Sequence, residues 1–265
     1  PTGLYIALPK GIALLFKFMT RLPIGFEPKF DSDSLGKSMK FFPIVGMVMG
    51  LILLAFFWAL SYVIYSPMVM VVTLVIIEVI LTGGLHLDGL ADTFDGIFSY
   101  RSKQKMLDIM KDSRLGTNGG LVLILYFILK VALIYELDMI AGIPSGIVLL
   151  LTPAIARLNS VINCASAPYA RATGMGKTFV DNTNGFGVVV ATILTLIFSG
   201  IVCYVFFIPL TILIIIPIVM LLGFIFAKLM TRKIGGVTGD TLGAVVELSE
   251  VLVLFLLYIG AMLLV

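Results

Sequence analysis

The stretch TGGLHLDGLADTFDG, residues 82–96, holds three aspartates and the chain's single histidine. It interrupts a 265-residue sequence that is 60% hydrophobic and only 12% charged. A soluble domain of this length carries about 25% charged residues. Half that charge, with apolar runs of about 20 residues, indicates an integral membrane protein. Lipid admits only helices and closed barrels, because every backbone polar group must be satisfied within the protein. The runs here are continuous rather than alternating, so they predict helices. Residues 85–98 are too polar to face lipid. They are expected to form a short polar helix or a re-entrant segment lined by protein or water.

Working outward from that segment, the apolar runs place spans at 41–65, 68–84, 119–135, 146–165, 186–208, 210–230 and 243–265. The expected fold is an all-α polytopic membrane bundle of about seven transmembrane helices, forming one catalytic domain over 1–265. Residues 4–19 are apolar but carry Lys10 and Lys17 and are interrupted by Pro9. They are expected to lie in the interface as an N-terminal helix. Cys164 and Cys203 are expected to be free thiols.

The charges sort by side. Sixteen of the 18 Lys and Arg lie in the N-terminal region up to Lys40, in 85–118, in 166–185 and in 228–239. Lys130 and Arg157 lie inside spans, and the alternate connections carry no cation. The positive-inside rule makes the basic set cytoplasmic, in a multi-pass protein of the cell's inner membrane. Asp88, Asp92, Asp95, Asp108, Asp112, Asp181 and Asp240 fall on that same side, so the chemistry is expected to face the cytoplasm.

If 85–98 is helical, Asp88, Asp92 and Asp95 share an arc of roughly 60°. Like charges on one helix face repel, and a bound cation would relieve them. Mg²⁺ favours such oxygen ligands and often shares them with substrate phosphates. A second acidic stripe, Asp240, Glu247 and Glu250, comes from GGVTGDTLGAVVELSE. Glu78 is an isolated acid within a span. Anion-binding partners accompany these acids. Lys111, Asp112, Arg114 and Asn118 lie among glycines in MKDSRLGTNGG, Arg157, Asn159 and Asn163 lie near the inner end of the fourth span, and Arg171 and Lys177 follow. Carboxylates for a metal and arginines for anionic oxygen are the parts of phosphoryl transfer.

Structural roles compete with these readings. Asp92 or Asp95 could cap a helix or pair with arginine, and Asp240 could cap the last span. His86 could be a hydrogen-bonded structural histidine. Lys130 could pair with Glu78 or Glu136, and Arg114 could serve topology alone.

GGLHLDGLADTFDG, MKDSRLGTNG, ARLNSVI and GGVTGDTLGAVVELSE, in this order and spacing, resemble cobalamin synthase, the CobS family of adenosylcobinamide-GDP ribazoletransferases. FFPIVGMVMG at the first span also fits, and the resemblance covers essentially the whole chain. It implies a Mg²⁺-dependent membrane enzyme that joins adenosylcobinamide-GDP to α-ribazole or its 5′-phosphate and releases GMP. It further implies roles for the residues already noted. Asp88, Asp92 and Asp95 would serve the metal, and Asp112 would help the metal or orient Arg114. His86, Asp240, Glu247 and Glu250 would be the catalytic groups, as bases or as completion of the metal site. Lys111, Arg114, Asn118, Arg157, Asn159 and Arg171 would hold substrate phosphates. The implied partners are these small molecules, the lipid bilayer and the pathway's other membrane enzymes, and no nucleic acid.

Two alternatives are weaker. A CDP-alcohol phosphotransferase signature begins correctly at Asp92, Asp95 and Gly96. It then fails at Ser99-Tyr100, and Asp108 and Asp112 arrive too early. A cation-coupled transporter could use Glu78, Glu247 and Lys130, but most of the acids gather at one face rather than at the midplane.

Overall fold

A computed structural model of the chain describes residues 9–24 and 29–264. The described residues form helices without strands. Six stretches are long and apolar enough to cross a membrane, and a seventh is obtained if one bent pair counts as a span. The six contain α3 (Phe42–Leu60), α7 (Thr117–Met139), α8 (Ser145–Ser166), α10 (Gly185–Val205), α11 (Ile215–Ile234) and α12 (Gly239–Leu264). The bent pair is α4 (Pro67–Thr82) and α5 (Leu85–Ile97), which meet at 89°. Short helices α1 (Lys10–Met19), α2 (Ser32–Lys37), α6 (Lys103–Ile109) and α9 (Met175–Asn182) complete the chain. The protein is a polytopic helical membrane protein. Residues 4–8 of the expected interfacial helix and Val265 of the expected last span lie outside the described residues.

The right-angle bend is encoded by two consecutive glycines. Gly83 and Gly84 both adopt left-handed φ, 63° and 73°, which L-residues with a Cβ avoid. Thr82 Oγ1 accepts a hydrogen bond from Gly84 N at 3.2 Å and steadies the turn. The chain leaves the bilayer direction after α4. The polar helix α5 then runs along one face, over the first turns of α12 and α7.

Helix α8 is the axis of the bundle, with 94% of its span-forming window buried inside the protein. Its closest neighbour is α3, through Gly46 and Gly50. A Cβ on Gly46 would stand 2.3 Å from the Pro153 carbonyl oxygen, and one on Gly50 would stand 2.5 Å from that of Leu150. Small residues four apart let membrane helices approach closely, where van der Waals contact rather than water exclusion holds them together. Gly46→Val should therefore push α3 off α8 and destabilise the protein by about 3 kcal/mol, measured as thermal unfolding in detergent. Unchanged unfolding would contradict this packing.

Polar side chains on α8 fasten two more helices. Asn159 Nδ2 donates to the Val219 carbonyl at 2.9 Å and to Ser249 Oγ at 2.8 Å, and Asn163 Nδ2 donates to the Gly223 carbonyl at 2.9 Å. Cys164 and Cys203 are free and buried.

The basic segments collect at one end. Lys228 Nζ reaches the Ser166 carbonyl at 2.9 Å, Arg21 N donates to the Leu81 carbonyl at 2.7 Å, and a short parallel bridge joins Tyr169 to Val237. Two of the cation-free connections, 141–144 and 206–209, meet in a cavity with Ala261 near the end of α12. Helix α1 is more than a surface anchor. It buries Ala13, Leu14, Leu15, Phe16 and Met19 against the protein.

Candidate active site

Helix α7, which starts at the basic end, receives a carboxylate from α5. Asp95 Oδ2 accepts from Gly116 N at 2.7 Å and Oδ1 from Gly119 N at 2.8 Å. Asp95 thus caps α7 from outside, where its charge also suits the helix dipole. A Cβ on Gly116 or Gly119 would stand 2.4 Å from an Asp95 oxygen. These glycines admit an aspartate of the protein itself. Asp95→Ala should cost about 1–2 kcal/mol of stability, with Asp95→Asn intermediate, read by thermal unfolding. Equal stability of all three proteins would refute the capping role.

Helix α12 is capped differently. Thr241 N donates to Thr238 Oγ1 at 3.2 Å, and Thr238 N donates to Thr241 Oγ1 at 2.8 Å. This reciprocal pair resembles a capping box and relieves Asp240 of the cap it could have been. The Asp240 carboxylate instead receives Arg171 Nη2 at 2.8 Å and the Thr238 hydroxyl at 3.2 Å. Arg171 is delivered by its loop. Ala170 N donates to the Val237 carbonyl at 2.8 Å, and Val237 N donates to that of Pro168 at 2.9 Å. The loop is thereby laced to the segment leading into α12.

Asp240 and α5 are in close contact. A Cβ on Gly89 would stand 2.6 Å from the Asp240 carbonyl oxygen. Asp88 is exposed and Asp92 half-buried on the same helix. Burial, followed by the charges of Asp88, Asp240 and Asp95, pushes the Asp92 carboxyl up to about 7, against a smaller opposing pull from Arg171. The like charges expected from helical spacing therefore do act on one another, and Asp240 joins them from 148 residues away along the chain.

Among the described residues, no three His, Cys, Asp or Glu side chains are arranged to hold a metal ion by themselves. The oxygen-only donors Asp88, Asp92 and Asp240 fit a Mg²⁺ that takes one or two carboxylates and completes its shell with substrate phosphate and water.

A cavity of about 170 Å³ opens beside these acids. Asp88, Asp240 and His86 line it together with Phe18, Phe42 and Phe179. His86 is 4% exposed, its ring packs edge-on to Phe42 at 5.8 Å, and its buried Nδ1 has no partner. No carboxylate pairs with it among the described residues. That setting gives a general base nothing with which to stabilise an acquired proton.

Several expected site residues lie elsewhere. Glu247 and Glu250 share Asp240's helical stripe but sit about 10 and 15 Å deeper at 1.5 Å per residue. Glu250 contacts Lys130 Nζ at 2.5 Å and Arg157 Nη1 at 3.3 Å, and the Tyr126 hydroxyl donates to Glu247. Lys130 also reaches Glu78 at 2.7 Å. These are paired ions inside the bundle, apart from the acids at the face.

Arg157 is 1% exposed and holds the Pro153 carbonyl at 2.9 Å as well as Glu250. Asn159 is 1% exposed and joins α8 to α11 and α12. Neither can meet a substrate phosphate without dismantling the core. Arg114 makes a fork to Asp112, with Nη2–Oδ2 at 2.6 Å, at the exposed turn before α7. That hydrogen bond holds Asp112 down at about 2. Lys111 and Asn118 flank the turn, and Lys177 pairs with Asp181 at 2.8 Å. The sequence reads the Thr238–Thr241 turn as a helix start capped by Asp240, whereas Thr238 and Thr241 make the cap, and it gives no sign of Tyr126. The T-x-x-T spacing was the available signal for that cap, while Tyr126 lies in a featureless apolar run.

Fold and site together define a polytopic helical membrane protein with a mixed acidic and aromatic pocket at its basic face. Residues 11–258 match the family described as cobalamin-5-phosphate synthase (CobS), and the chain belongs to that family. An adenosylcobinamide-GDP ribazoletransferase of Fusobacterium nucleatum is 47% identical over 268 residues, covering 93% of this chain and 96% of that protein. Proteins of the same name from Clostridioides difficile and Acetivibrio thermocellus are 38% and 39% identical, each covering 94% of this chain and 97% or 98% of their own. No solved structure matches the chain.

Proposed function

We propose that the protein transfers the cobinamide phosphate of adenosylcobinamide-GDP to ribazole or its 5′-phosphate and releases GMP, at the cytoplasmic face of the inner membrane. The observation that carries this reading is the convergence of Asp88 and Asp92 of α5 with Asp240 of α12 and its loop partner Arg171 beside one pocket. The curated relatives named above, and the basic character of that face, support it.

In this reaction a ribose hydroxyl oxygen attacks the phosphorus that carries the cobinamide side chain. A new P–O bond forms, the bridging P–O bond to GMP breaks, and the hydroxyl proton passes to a carboxylate. Arg171 holds the Asp240 carboxylate in position while facing anionic oxygen. Asp88, Asp92 and Asp240 would hold Mg²⁺, whose contribution is to neutralise charge on the diphosphate and the leaving GMP. Asp95 acts indirectly by fixing α5 on α7. Arg114, Lys111 and Asn118 lie at the exposed end of α5, where Arg114 can exchange Asp112 for a substrate phosphate. Positioning two large substrates in line supplies much of the remaining rate. Other membrane enzymes of the pathway are natural neighbours in the bilayer.

The test is GMP release from adenosylcobinamide-GDP by the purified protein, with ribazole, with ribazole 5′-phosphate or without acceptor, and with or without Mg²⁺. The expected result is release that needs both an acceptor and Mg²⁺. Release that ignores the acceptor, or none at all, would overturn the reading.

A further inference from the structure

We infer that the phenylalanine-lined pocket beside Asp88 and Asp240 seats the flat, apolar base of the acceptor nucleoside and so selects the acceptor. This rests on the transfer reaction proposed above and adds the place of one substrate within it.

The walls come largely from parts of the chain that do not span. Phe18 belongs to α1 and Phe179 to α9, and their rings meet at 5.9 Å. Phe42 begins α3, Met39 lies in the 3-10 turn before it, and Met175 begins α9. The cavity of about 170 Å³ is of the size at which an apolar protein cavity takes up an aromatic ring (an engineered one of about 150 Å³ binds benzene). It is too small for a corrin macrocycle.

The lining's chemistry separates the two bases that the reaction brings. Guanine, on the donor, presents an exocyclic amine, a carbonyl and a ring N–H. The pocket offers it little in return. His86 is almost wholly covered, and Ser160 is buried and already donates to the Leu242 carbonyl at 3.3 Å. Guanine buried there would lose hydrogen bonds to water without replacement, which is costly. A methylated benzimidazole has no exocyclic donor and only one unsubstituted ring nitrogen, so apolar walls suit it. A lipid chain would match the walls but not the mouth, where Asp88 and Asp240 stand. With the base inside, its ribose lies at that mouth, and a hydroxyl comes to the acid cluster where the transfer takes place.

The experiment is initial-rate kinetics on the full-length protein in detergent, varying each substrate in turn, for wild type, Phe18→Ala and Met175→Ala. The acceptor KM should rise about tenfold in the variants, the scale on which an apolar pocket discriminates, with the donor KM within about twofold of wild type. With wild type alone, a riboside of adenine, whose exocyclic amine would be buried, should react with kcat/KM about tenfold lower than ribazole. Met175 is 48% exposed, so its truncation is safe for the fold, and the wild-type series needs no variant at all. A rise confined to the donor KM would put guanine in the pocket and overturn the inference. Unchanged KM values together with equal use of both ribosides would also overturn it while leaving the transfer reaction standing. If wild type shows no acceptor-dependent GMP release, both readings fall together.

Discussion

Asp92→Asn is expected to lower the rate of GMP release by about 100- to 1000-fold, the scale of losing one preorganised charge at a reacting centre, with the fold intact. Asparagine keeps the volume, and Asp92 makes no hydrogen bond among the described residues that the exchange would break. What changes is charge. Burial and the neighbouring charges of Asp88, Asp240 and Asp95 push its carboxyl up to about 7, so the aspartate is held against repulsion that a cation would relieve. Added Mg²⁺ should therefore raise the unfolding temperature of wild type, because a ligand bound only by the folded state stabilises it. The rise should be smaller for Asp92→Asn. Wild-type turnover by the variant at limiting Mg²⁺ would remove Asp92 from the metal site.

Lys130→Met is expected to cost about 3–5 kcal/mol of stability, the range for removing one partner from a buried ion pair. Lys130 is 3% exposed and lies between Glu78 at 2.7 Å and Glu250 at 2.5 Å. Without it, three acids of the bundle interior face Arg157 alone. Exchanging Lys130 and Glu78 together, for Met and Gln, should recover part of the loss by removing one charge of each sign. Thermal unfolding measures both proteins. A Lys130→Met protein as stable as wild type would show that these ions are not a structural unit and would return Glu247 and Glu250 to the list of catalytic candidates.

The contrast between Asp92 and Glu250 shows what a membrane sequence can convey. The gathering of the basic segments at one end was legible, because lysine and arginine mark loops and the acids followed them. The polar character of 85–98 was legible too, since apolar runs tolerate no such segment facing lipid. Helical spacing put Asp88 and Asp92 on one arc of α5, and Asp240 lies against that helix. The same arithmetic misplaced Glu247 and Glu250 because a stripe fixes direction around the axis, not depth along it. Seven residues are about 10 Å of rise, which at a membrane face separates a water-exposed site from the interior.

Arg157 and Asn159 were misread for another reason. In a soluble protein the buried helix face is the apolar one, but here lipid makes the outer face apolar as well. Helix α8 is the least apolar of the six spans and carries Arg157, Asn159, Ser160 and Asn163, a signal that suits a central helix and a substrate site equally. The glycines of MKDSRLGTNGG likewise announced a close approach without naming the visitor, which is Asp95. The aromatic pocket was invisible because Phe18, Phe42 and Phe179 come from three separated segments, the first two in apolar runs and Phe179 in the polar stretch MGKTFVDN.

In the proposed mechanism α5 and the start of α12 serve one ion at one membrane face. Electron paramagnetic resonance titration of Mn²⁺, standing in for Mg²⁺, into the purified protein with adenosylcobinamide-GDP tests it directly. Asp92→Asn and Asp240→Asn should each weaken Mn²⁺ binding by about tenfold or more, and the double variant should lose less than the product of the two single losses, as coupled residues do. Wild-type affinity in Asp240→Asn, alongside weakened binding in Asp92→Asn, would show that the two segments do not share the ion and would contradict the account.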